Sequence, residues 1–164
     1  MSNHQINERE RAITLCVTNP HITPHSDQNH SCSMTSTVSY LGDLRTECTH
    51  LRSGEHIITD APPDNQGKGE AFSPTDLTAT SLATCMLTTM GIRALDLDIT
   101  GAQAEVTKIM ASDPRRISRI EVKIVMPKNG YSDKDKKVLE TIAHTCPVAL
   151  SLSEKIEQVI EFEW

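Results

Sequence analysis

The sequence predicts an α+β fold, and three observations carry that prediction. Apolar and polar residues alternate in "TSTVSYLG", "RTECTHL" and "EHIITDA", and again in "GAQAEVTKIMA" and "RISRIEVKIVM", with the period of two that marks strands. Between these groups lies "SPTDLTATSLATCM", which opens as a long helix. A second helical pattern, "YSDKDKKVLETIAHTC", follows the second strand group, so the order is strands, helix, strands, helix.

The chain has 164 residues, enough for one domain with a real core. Apolar residues make up 37% and aromatics only 3%, so the core and any pocket must be aliphatic. The net charge of −6 argues against a nucleic-acid partner, which needs a basic face. No apolar run approaches the roughly 20 residues of a membrane span, and Glu8, Arg9, Glu10 and Arg11 are not followed by the apolar stretch of a secretory signal. A soluble cytoplasmic protein, with no membrane partner, is expected. The five cysteines, Cys16, Cys32, Cys48, Cys85 and Cys146, are odd in number and form no C-x-x-C, which suggests neither a disulfide scaffold nor a zinc ribbon. In a reducing compartment they start as free thiols.

Residues 1–33 are polar, carry His4, His21, His25 and His30, and show no sustained period; they read as a flexible extension. Metal binding by these histidines with Cys16 or Cys32 is the competing reading, but the spacings match no ligand motif. The folded domain is expected over 34–164, beginning with two or three antiparallel strands joined by turns at Gly42 and at Ser53-Gly54. "PPDNQGKGEAF" reads as a surface loop free to move. Ser73 is a natural N-cap, Pro74 suits the first helical position, and Asp76 completes a capping box. The helix should reach about Leu95 and bury Leu77, Leu82, Met86 and Met90. With hardly a charge between Asp76 and Arg93, it should be covered on several sides.

Two strands hinged at "SDPRR" come next, the second presenting Ile120, Val122 and Ile124 on one face. Ser132 with Asp135 caps the second helix, whose stripe is Val138, Leu139, Ile142 and Ala143. Pro147 starts a short further helix, "PVALSLS", and "EQVIEFEW" is a closing strand.

Two cysteines stand out locally. Cys85 has Ser81, Leu82, Thr88 and Thr89 as its neighbours one turn away, small enough to leave room beside the sulfur; packing alone would equally account for it. Cys146 immediately precedes Pro147, so it can cap the short helix, where free N–H groups favour a thiolate, and His144 is near in sequence. Local physics therefore ranks Cys146 as the more acidic thiol.

The stretch "YLGDLRTECTHLRSGEHIITDAPPDNQGKGEAFSPTDLTATSLATCM", together with "HTCPVAL", resembles the OsmC family (osmotically inducible protein C), which includes the organic hydroperoxide resistance (Ohr) proteins. The resemblance covers about residues 36–164, and "FSPTDL…ATCM" and "CPV" are its most specific parts. It implies an OsmC-like fold of curved antiparallel sheets wrapped around long central helices in an intertwined homodimer. It also implies a thiol peroxidase in which Cys85 attacks a hydroperoxide and becomes a sulfenic acid, Cys146 condenses with it to a disulfide, and an external dithiol restores both. That order reverses the local ranking. No metal, haem or flavin is required. The Ohr branch activates its thiol with an Arg of the N-terminal strands held by a Glu near the start of the central helix. The matching cation is Arg45, with Arg52 second; the Glu position holds Thr75, and the acid is Asp76, one residue later. At about 100° per residue, Asp76 falls on the side of the helix opposite Cys85, and it reads mainly as a capping acid. The competing reading is a non-enzymatic OsmC-like protein that binds a small apolar ligand in the dimer cleft, with structural or redox-sensing cysteines.

Overall fold

The computed structural model describes residues 34–94 and 96–164. The expected flexible extension over 1–33, its alternative as a metal site, and the helix end at Leu95 lie outside the described residues. The elements run β1 (Ser36–Gly42), β2 (Arg45–His50), β3 (His56–Asp60), a 3-10 turn (Pro63–Asn65), α1 (Pro74–Arg93), β4 (Gln103–Ser112), β5 (Arg115–Val125), α2 (Asp133–His144), α3 (Pro147–Ser151) and β6 (Glu157–Glu163). Strands pair in the order β1-β2-β3 in one sheet and β4-β5-β6 in the other. β4 and β5 are antiparallel, with an irregularity at Ile109/Met110, whereas β6 runs parallel to β5. The second sheet is therefore mixed rather than antiparallel throughout. The α2–α3 crossover that separates β5 from β6 is what a parallel neighbour requires.

Two compact units are distinguished: residues 34–37 with Thr49–His56, and Val38–Cys48 with Ile57–Trp164. In the first, the chain turns back on itself through hydrogen bonds from the His50 N–H to the Glu55 carbonyl (2.8 Å) and from the Leu51 N–H to the Thr35 carbonyl (3.0 Å). The second holds the core. Leu82, Met86 and Met90 of α1 are buried with Ile120, Val122 and Ile124 of β5 and with Leu139, Ile142 and Ala143 of α2. The period of two in β5 and of 3.6 in α2 thus converge on one apolar layer.

Two expectations change here. Within this chain α1 buries one face only: Leu77 is half-buried, and Thr84, Thr88 and Ile92 are exposed. Its opposite side is lined by Thr and small residues, which cost little to leave in water, and by Ile92, which does not. Val138 of the α2 stripe is likewise 41% exposed. The 61–72 loop lies on the surface as expected but is tied down. The N–H groups of Gly67 and Gly69 donate to the carbonyls of Pro62 and Ala61 (both 3.1 Å), and that of Asp60 to the Phe72 carbonyl (3.1 Å). Gly67 packs so closely that a Cβ there would overlap the Ala61 carbonyl. No helix of the described residues is long and apolar enough to cross a membrane.

Leu139 is fully buried at the junction of α1, α2 and β5. Leu139→Ala is expected to lower stability by about 2–5 kcal/mol, read as a drop in the urea midpoint, whereas Val138→Ala should change it by no more than about 0.5 kcal/mol.

Candidate functional site

α1 is placed by its first turn. The Ser73 hydroxyl accepts from the Asp76 N–H (3.1 Å) while Asp76 Oδ2 accepts from the Ser73 N–H (2.8 Å), which closes the capping box. Lys108 Nζ reaches across from β4 and donates to Asp76 Oδ1 (2.7 Å) and Thr75 Oγ1 (2.8 Å). Burial works against the Asp76 charge, but Lys108 and the Ser73 N–H and hydroxyl outweigh it and hold the carboxyl below the usual range. Asp76 is thus a capping acid bonded to a lysine.

The helix carries Cys85 midway along its length, half-buried, with Sγ 3.9 Å from Thr89 Oγ1. On the other side of the α1–α2 seam, Cys146 is the N-cap of α3; its Sγ accepts from the Ala149 N–H at 3.4 Å. Cys85 packs against the buried cluster that holds Cys146, its side chain bears on the Cys146 thiol, and both cysteines are free thiols. Burial pushes the Cys146 thiol up; the Ala149 N–H pulls the other way, and the neighbouring Cys85 adds to the rise. The expectation of an acidic Cys146 thiol is not met. The amide at the helix start is present as expected, but complete burial outweighs it.

Arg45 is held elsewhere. Its Nη2 pairs with Asp60 Oδ2 (3.1 Å) and Glu70 Oε2 (2.5 Å). The hydrogen bond it donates to Glu70, then that to Asp60, raises the guanidinium above its ordinary value. Asp60 is buried and also accepts from the Glu70 N–H at 3.0 Å; that bond, with help from Arg45 and against the cost of burial, holds its carboxyl below the usual range. Its Oδ1 has no hydrogen-bond partner among the described residues. Among the described residues neither Arg45 nor Asp76 is bonded to a thiol, and Arg52 is exposed in the first unit. Nor do the described residues contain a group of three or more His, Cys, Asp or Glu able to hold a metal.

A family model described as OsmC-like protein matches residues 67–161. The chain belongs to the OsmC family. A solved protein from Psychrobacter arcticus 273-4, named for osmotic stress induction and a detoxification response, is 52% identical over 83% of this chain and 100% of its own, with a TM-score of 0.77. The Legionella pneumophila organic hydroperoxide resistance protein OsmC (13% identity, 80% of this chain and 98% of that one, TM-score 0.64) shares the fold. So does OhrB of Bacillus subtilis, an organic hydroperoxide resistance protein (14%, 79% and 98%, 0.58). No curated protein matches the sequence.

For this OsmC family member, sequence reasoning missed Lys108, Asp60 and Glu70. Lys108 did leave a signal: along β4 it occupies the inward register with Ala104, Val106 and Met110, where alternation calls for an apolar residue. Asp60 and Glu70 left none, because their pairing depends on how the intervening loop folds.

The lowered Asp60 carboxyl has a direction that can be tested. Its ionised form stabilises the fold above the unfolded value of about 3.9, and that contribution is lost as pH falls through the lower folded value. Asp60→Asn is therefore expected to flatten the dependence of the urea midpoint on pH below about pH 4. Parallel wild-type and variant curves there would remove Asp60 as the anchor of Arg45.

Proposed function

We propose that this chain is a thiol-dependent peroxidase that reduces organic hydroperoxides, with Cys85 as the attacking and Cys146 as the resolving thiol. The packing of Cys85 against the buried cluster that holds Cys146, two residues from elements far apart in sequence, carries the reading. The relatives named for organic hydroperoxide resistance support the substrate class, and the aliphatic composition suits an apolar hydroperoxide. The Cys85 thiolate attacks the terminal oxygen of ROOH. An S–O bond forms, the O–O bond breaks, and the alkoxide takes a proton and leaves as ROH. The Cys146 thiol then condenses with the sulfenic acid, releasing water and forming the disulfide. An external dithiol reduces that disulfide and is itself oxidised. Cys146 enters this cycle as a neutral thiol, which keeps the first nucleophile distinct from the second.

Arg45 is the cation assigned to the leaving oxygen, and Asp76 acts as the cap that fixes α1. Two copies of the chain form the working unit in the cytoplasm. Val38 and Tyr40 of β1 (62 and 66% exposed) and Ile92 of α1 (65%) supply apolar surface for the partner to cover. One observation favours a second reading, a non-enzymatic ligand-binding protein with redox-sensing cysteines: Arg45 is already engaged by two acids.

Peroxide consumption with a dithiol reductant separates the two. Wild type is expected to turn over cumene hydroperoxide while Cys85→Ser falls to the uncatalysed rate; equal rates end the peroxidase reading. After one equivalent of peroxide, peptide mass spectrometry should find an intramolecular Cys85–Cys146 bond. Pairing of Cys48 instead would indicate unselective oxidation. Sedimentation should return twice the chain mass, and a monomer would remove the dimer.

A further inference from the structure

Away from the thiols, a groove of about 650 Å³ runs between the end of α1 and the outer face of α2, within the size range of small-molecule sites. Val138 and Ile142 contribute its apolar floor, and Arg93, Lys134 and Lys137 contribute three cations against one acid, Asp133. In a chain of net charge −6, Arg45, Lys108, Arg115, Arg119 and Lys123 all pair with carboxylates. Among the described residues, Arg93, Lys134 and Lys137 have no carboxylate within salt-bridge distance. Arg93 is nevertheless fixed: its Nη1 donates to Thr145 Oγ1 at 2.9 Å, leaving the rest of the guanidinium unspent.

Positive charge over an aliphatic floor complements one chemistry, an anionic head on an alkyl chain. We propose that this groove binds a free straight-chain monocarboxylate, with the carboxylate held by Arg93 and the two lysines and the chain laid along Val138 and Ile142. A guanidinium and ammonium groups form charge-assisted bonds to a carboxylate, and the apolar floor rewards burial of methylenes at about 0.8 kcal/mol each. The proposal does not depend on the thiol chemistry.

The test is displacement of dansyl-labelled undecanoic acid from the full chain by dodecanoate, kept below micelle-forming concentrations. Dodecanoate is expected to compete and dodecanol to compete much less. The double variant Lys134→Glu/Lys137→Glu changes two exposed side chains that carry no packing, and should weaken binding by about tenfold or more, the size expected when charge-assisted bonds are lost. Cys85→Ser should bind as wild type does, so loss of the peroxidase reading would leave this result standing. The proposal is overturned by equal binding of acid and alcohol, by unchanged affinity in the double variant, by binding only to anionic vesicles, or by no binding at all. It is also overturned if light scattering shows that the double variant changes oligomeric state, which would make the groove a seam between copies.

Discussion

The seam between α1 and α2 is the constraint on which the rest of the molecule depends. Leu82, Met86 and Met90 on one side and Leu139, Ile142 and Ala143 on the other are buried together. The burial is apolar and non-directional, so by itself it would tolerate a sliding helix. Directional contacts remove that freedom. Lys108 bonds the first turn of α1 to β4, and Arg93 bonds its last turn to Thr145, the residue before Cys146. Cys85 lies between those two points and packs against the cluster that holds Cys146.

Burial and charge then assign the thiols different characters. Cys146 sits at the start of a five-residue helix whose N–H groups favour an anion, yet it is fully enclosed and next to another sulfur, and those effects prevail. Cys85 is half-buried at the edge of the core that encloses Cys146. The strong charges keep to themselves: Arg45 with Asp60 and Glu70, Lys108 with Asp76. Among the described residues, neither Arg45 nor Lys108 therefore spends its charge on a thiol.

How much of this was legible in the sequence follows from how local each feature is. The Ser73-Pro74-Asp76 cap, the β5 face of Ile120, Val122 and Ile124, and the Cys146 N-cap depend on residues within a few positions, and each was read correctly. What covers the second side of α1 was not legible, because an uncharged helix lined with Thr and Ala reads the same whether its own chain or another covers it. The pairing of Arg45 with Asp60 and Glu70 requires the 61–72 loop to fold back through Gly67 and Gly69, which periodicity does not encode. The parallel course of β6 escaped for the same reason: a strand's sequence shows its faces and not its direction.

Fastening α1 at both ends sets the two thiols on supports of very different reach. α1 spans 20 residues, whereas α3 has five and is bounded by Cys146 and Leu152. One sulfur therefore rides in the middle of a long, doubly anchored helix, and the other at the lip of about one turn of backbone.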